Sequence, residues 1–215
     1  MKSFIAFSVA FIGVTFTGCS TLQPRVYSEP PGAKLHLVSV HGVQPFMSRA
    51  YIGETPIQEF LLPEGFNNSD EFKKYLDKNK KRLYVEIESP GYQVKTVPLT
   101  KLIAADEDED YKKTAIKLEH ILDVEAIRGV ATKEDVLSKV YKNVTVQTNM
   151  SGAIVYMNGV LSGNTPLTLS QLPGTYLLEV RHSQCKHGVH DIVRIKNTME
   201  PNVYKLNLQG CEKTH

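Results

Sequence analysis

The feature that most constrains this chain is that one set of landmarks occurs twice, in the same order. The clearer set runs from Val144 to Ile195. It contains Ser151-Gly152-Ala153, the alternating run Ile154-Val155-Tyr156-Met157 and a turn at Asn158-Gly159. Gly163-Asn164-Thr165-Pro166, Leu172-Pro173-Gly174 and a second alternating run from Tyr176 to Arg181 follow. The other set starts at Val26. Val26, Gly32, Ala33, Leu35 and Leu37 stand 120 positions before Val146, Gly152, Ala153, Val155 and Met157. Gly53, Thr55, Pro56, Leu62 and Pro63 stand 110 positions before Gly163, Thr165, Pro166, Leu172 and Pro173. Val85-Glu86-Ile87 stands 93 positions before Leu178-Glu179-Val180. An order that is kept while the offset changes only at loops is what internal duplication leaves behind. The first copy therefore carries ten extra residues in its first hairpin and seventeen more after Leu62-Pro63.

Each landmark has a physical reading. Leu35 and Leu37, like Val155 and Met157, alternate with polar or exposed positions, the period of a half-buried strand. Asn158-Gly159 tolerates positive φ and predicts a tight hairpin. Pro56 and Pro166 lack a backbone donor, which suits an edge or a strand entry. Leu172-Pro173-Gly174 reverses the chain, and Tyr176, Leu178 and Val180 then turn one face inward. Short strands at this spacing predict an all-β protein with two small antiparallel sandwiches.

The longer insertion predicts a helix. Ser69 is its expected N-cap, with Asp70 and Glu71 in the first turn and Phe72, Tyr75 and Leu76 on one face. The positive run from Lys78 to Arg82 suits the C-terminal end of the helix dipole. Asp106 to Asp110 are five acids in a row without the spaced ligands of an EF-hand, so a solvated loop is expected. Thr114, Ile116 and Leu118 alternate and predict a strand closing the first copy. Residues 122–142 are expected to form a linker, with Thr132 capping a short helix and Val136, Leu137, Val140 and Tyr141 on one side.

Taken together, Gly-Ala before an alternating strand, Gly-x-Thr-Pro, Leu-Pro followed by Gly, and a closing strand resemble the PEGA domain of bacterial envelope proteins. The resemblance covers about Val26 to Leu99 and Val144 to Leu208. It implies small β-sandwich modules at a cell surface or in the periplasm, mostly without assigned chemistry. The expected plan is a module over 26–121 and a second over 143–215.

The N-terminus reads as a targeting segment. Lys2 precedes an apolar stretch from Phe4 to Phe16, too short for the roughly 20 residues that span a bilayer as helix. Phe16-Thr17-Gly18-Cys19 resembles a bacterial lipobox, with Phe16 where Leu is usual. The resemblance implies removal of residues 1–18, acylation of Cys19 and a short tether over 19–25. Ser20 in place of Asp resembles the class sorted to the outer membrane. An ordinary secretory signal is the other reading. Two or more acyl chains would anchor the chain stably.

With Cys19 acylated, Cys185 and Cys211 remain as an even pair in an oxidising compartment, where a bridge is expected. The competing reading is a metal loop made of His182, Cys185, His187 and His190, which has the residue types of a zinc or copper site but no standard zinc spacing. The two exclude each other at Cys185. No Gly-x-Ser-x-Gly elbow, His-Glu-x-x-His helix or phosphate loop is present, so no catalytic residues and no cofactor are expected. A near-neutral balance, net charge +2, argues against a nucleic-acid binder, which usually shows a concentrated basic face. Absence of Trp weakens a glycan-binding reading. The expectation is a non-catalytic, lipid-anchored envelope protein whose paired modules bind or space other envelope components. A metal-binding protein of the export compartment and a peptidoglycan or glycan binder are the alternatives.

Overall fold

The computed structural model describes residues 26–40, 48–103, 115–121, 140–198 and 200–212. Cys19, the acidic run at 106–110 and the expected linker helix after Thr132 lie outside them. The protein is all-β with short helical insertions, and the two sets of landmarks lie in four-stranded sheets of like strand order.

The first unit comprises β1 (Ser28–Glu29), β2 (Lys34–Ser39), β3 (Arg49–Glu54), α1 (Ser69–Asn79), β4 (Leu83–Glu88), β5 (Lys95–Pro98), α2 (Leu99–Ile103) and β6 (Ile116–Lys117). Its antiparallel sheet has the order β3-β2-β4-β5, and β1 pairs in parallel with β6. The second unit comprises β7 (Lys142–Thr148), β8 (Ile154–Met157), β9 (Val160–Asn164), β10 (Leu167–Gln171), β11 (Gly174–Arg181), β12 (Val189–Ile195) and β13 (Asn202–Leu206). Its sheets run β12-β11-β8-β9 and β10-β7-β13, the latter closed by a parallel pair between β7 and β13. Thus β2, β3, β4, β5 and β6 correspond to β8, β9, β11, β12 and β13. The register shifts between Leu35 and His36 and, 120 positions on, between Val155 and Tyr156. The strand expected from Ile116 and Leu118 is β6, and Leu118 is buried in the first core.

The repeated Thr-Pro explains why these landmarks travel together. Thr55 Oγ1 accepts from Ala33 N–H at 3.0 Å and meets Ser28 Oγ at 2.5 Å. Thr165 Oγ1 accepts from Ala153 N–H at 3.1 Å and meets Thr148 Oγ1 at 2.7 Å. Backbone bonds repeat as well: Gly32 N–H donates to Thr55 O and Gly152 N–H to Thr165 O, both at 2.7 Å. Both Thr-Pro peptide bonds are cis. Each threonine hydroxyl ties the strand entry at Gly-Ala to the start of the opposite sheet, so buried polar groups at the corner find partners.

The cores are built from the inward alternation. Leu35, Leu37, Val85 and Ile87 fill the first, Val155, Met157, Tyr176, Leu178 and Val180 the second. Complete burial of such a side chain contributes about 1.5–3 kcal/mol. Asn158 takes φ 47° and Gly159 φ 75°, so the hairpin between β8 and β9 is the expected two-residue turn.

Two expectations need correction. The N-cap of α1 is Asn68, whose backbone is extended and whose Oδ1 accepts from Glu71 N–H at 2.9 Å; Ser69 is already helical. Both residue types cap well, and the side chain one turn-length before Glu71 takes the bond. Phe72, Tyr75 and Leu76 do form the buried face. Alternation also fails along β11, where Leu177 and Glu179 are as buried as their inward-facing neighbours. Both of its faces are covered, which requires a second layer.

Candidate functional site

That second layer is the first unit. Val38, Val40 and Leu177 form a separate buried cluster, with Tyr84 and Ile192 packed against it. The outward face of the first unit's sheet therefore lies on the outward face of β11 and β12. Asn158 is buried between them, its Oδ1 accepting from Thr96 Oγ1 at 3.1 Å and from Leu177 N–H at 2.7 Å. Gly174 brings the two backbones together. Thr175 N–H donates to Val94 O at 2.8 Å, and a Cβ on Gly174, at φ 152°, would lie 2.3 Å from that oxygen. Only glycine fits such an approach. Val94 itself is buried in the second unit's core. Arg194 to Glu119 at 3.2 Å and Asn197 Nδ2–H to Ile121 O at 2.9 Å extend the contact.

Beside this contact opens a cleft of about 290 Å³. One wall is charged: Arg49, Glu86 and Glu88 from β3 and β4. The other combines Val160 and Ser162 of β9 with Leu169 and Gln171 of β10, and reaches Tyr176. Tyr176 O–H donates to Leu172 O at 3.1 Å, and burial raises its pKa above the usual tyrosine range.

His36, Glu86 and Glu88 form a group whose ligating atoms lie within 4.8 Å of one another. The place a cation would take is held by Arg49. Its Nη2 lies 2.6 Å from Glu86 Oε1, 3.1 Å from His36 Nδ1 and 3.5 Å from Glu88 Oε2. A guanidinium fixed there repels a divalent ion, so the group reads as an ion-pair network. Burial, and next the Arg49 charge, lower the His36 pKa from 6.5 to about 4, which keeps the imidazole neutral as an acceptor. The second unit repeats part of this, since Glu179, also buried, receives Arg181 Nε–H at 2.6 Å.

Cys185 and Cys211 are joined in a disulfide spanning 26 positions. Backbone pairing holds the site, with Lys186 N–H to Gly210 O at 3.2 Å and Glu212 N–H to Gln184 O at 2.9 Å. Cys185 therefore offers no thiolate to a metal. His182 Nδ1 accepts from Gln184 N–H at 3.2 Å, and the His190 ring stands 6.4 Å from that of Tyr84. Among the described residues, no three-ligand group includes His182, His187 or His190.

The sequence reading missed the His36, Arg49 and Glu86 network. A signal existed: both copies place a glutamate between two inward apolar residues of the closing strand, Val85-Glu86-Ile87 and Leu178-Glu179-Val180.

Comparison with known proteins bears on the second unit. The PEGA domain family model matches residues 141–189, which run from the start of β7 to the start of β12. The chain thus contains a PEGA domain. No curated protein matches it, and no solved structure does.

Proposed function

We propose that this is a non-catalytic, lipid-anchored protein of the bacterial cell envelope, in which a second PEGA-like unit over residues 26–121 packs on the matched one. The paired units bind or space other envelope components, and the lipid on Cys19 holds them at a membrane, the outer one by the sorting resemblance. The disulfide between Cys185 and Cys211 is the observation that carries this reading, since such bridges persist in oxidising compartments. The repeated threonine corner supports the kinship of the two units. Lys2, the apolar stretch and Gly18-Cys19 supply the address.

Labelling with a fatty-acid probe tests the anchor. Cys19→Ala is expected to abolish incorporation and to move the protein from the membrane fraction to the soluble one. Undiminished labelling of that variant would overturn the assignment.

A further inference from the structure

The two units differ at one seam. In the first, the chain beyond Ile57 returns along β3, with Leu61 N–H donating to Ile52 O at 2.9 Å. Phe60 enters the core there, and Phe66, Phe72 and Tyr75 of the insertion join the same cluster. The corresponding seam of the second unit lies between β9 and β10. These strands belong to different sheets, and among the described residues β9 pairs with β8 alone. At the offset of 110, Ser162 and Gln171 stand where Ile52 and Leu61 do, and both line the open cleft. So the first unit fills its seam with its own chain and aromatic side chains, while the second leaves a strand edge and an apolar slot beside it.

We propose that this cleft binds an extended peptide segment of a partner protein, paired to the outer edge of β9, with an apolar side chain against Val160 and Leu169 and a lysine or arginine beside Glu88. A strand edge offers unpaired N–H and C=O groups in register for such an addition, and side-chain slots then select the sequence. Val160 is 55% exposed, a large apolar residue left in water at the entrance. The charged wall selects the sign. Glu86 is engaged by Arg49 at 2.6 Å, whereas Glu88 is 3.5 Å from Arg49 and its side chain is 48% exposed. Among the side chains that line the cleft, two carboxylates face one guanidinium, an excess of negative charge that a basic side chain complements; Lys34, opposite Glu88 in the sheet, lies outside that lining. The proposal gives the paired-module reading a partner chemistry and rests on that reading for its biological setting. It does not require the lipid.

Fluorescence anisotropy on the purified full-length chain tests it, with an acetylated, fluorescein-labelled hexapeptide alternating leucine and lysine as probe. The matched control alternates leucine and glutamate. The lysine peptide is expected to bind with a Kd of about 10 μM and the glutamate peptide about tenfold more weakly. Glu88→Gln and, separately, the exposed Val160→Ser are each expected to weaken the lysine peptide about tenfold. Absence of binding, equal affinity for both peptides, or unchanged binding in both variants overturns the proposal. So does displacement of the probe by chitotriose, which would place a glycan in the cleft. Self-association that Val160→Ser abolishes would assign the edge to a second copy, and overturns it too. Any of these results leaves the fatty-acid labelling at Cys19 unaffected, so the two readings fail separately.

Discussion

The first unit builds its core from its own residues, between Val26 and Leu118, whereas the second completes its core with Val94, borrowed from the first. Its β11 is also covered on the outer face by the first unit, which buries Leu177 against Val38 and Val40. Two copies of one plan have thus come to differ in self-sufficiency. The first gained an insertion that thickens its core with Phe66, Phe72 and Tyr75; the second gained a neighbour. A repeated fold need not mean repeated independence, because burial on the second face of a sheet depends on what lies beyond it.

The largest effect expected from this asymmetry concerns separation. A fragment of residues 143–215 loses Val94 from its core and exposes Leu177, at roughly 1.5–3 kcal/mol each. It is expected to melt well below the full chain, by about 15 °C or more given the 4–8 °C per kcal/mol of a domain this small. A fragment of 26–121 also uncovers Val38 and Val40, but its core cluster from Val26 to Leu118 stays whole, so it is expected to lose less. Calorimetry of both fragments checks the ranking, and equal losses would break it.

Next in size is the threonine corner, where the units are expected to agree. Thr55→Val and Thr165→Val each remove the acceptor of a buried N–H, from Ala33 and Ala153, and each is expected to cost about 1–3 kcal/mol. Denaturant midpoints of the two variants measure it. A cost confined to one corner would dissolve the equivalence of the two units at the site where their geometry matches best.

The smallest effect distinguishes the units by pH. In the folded chain burial lowers the His36 pKa from 6.5 to about 4, with the Arg49 charge adding to it, Glu88 opposing and Lys34 contributing least. Between those values the unfolded chain binds a proton that the folded chain refuses, so this contribution to stability is lost as pH falls from 6.5 to 4. Partial exposure reduces it to about 1 kcal/mol. His36→Gln is expected to flatten that part of the stability curve. The second unit holds Tyr156 at the corresponding position, so Tyr156→Phe should leave the slope unchanged.

What could be read from the sequence was local or repeated. Asn158-Gly159 requires a turn by its own chemistry, Leu35 and Leu37 mark a face by their period, and two equal orders of landmarks point to the two like strand orders without any structure. The pairing of Cys185 with Cys211 was expected by counting only with Cys19 assigned to the lipid. The seam was not legible, because it depends on which outward faces meet. Nothing in β11 alone distinguishes a solvated Leu177 from one covered by another sheet, and Val94 carries no sign that it serves a core some eighty positions further on. Arg49 and Glu86 sit on different strands, so their 2.6 Å contact is a property of register and not of sequence spacing.

The disulfide also decides how the molecule would carry tension. A pull on the C-terminus reaches Cys211 and passes through the sulfur atoms to Cys185, so the chain between them, with β12 and β13, is shunted out of the load path. Those strands can be peeled from their neighbours but never drawn out to their contour length. The first unit has no cysteine and therefore no such shunt. Among the described residues, its closing strand β6 holds to β1 through two residue pairs, against five between β13 and β7. A chain stretched between its ends is therefore expected to yield first at the unit nearer the N-terminus, and to extend there without a covalent stop.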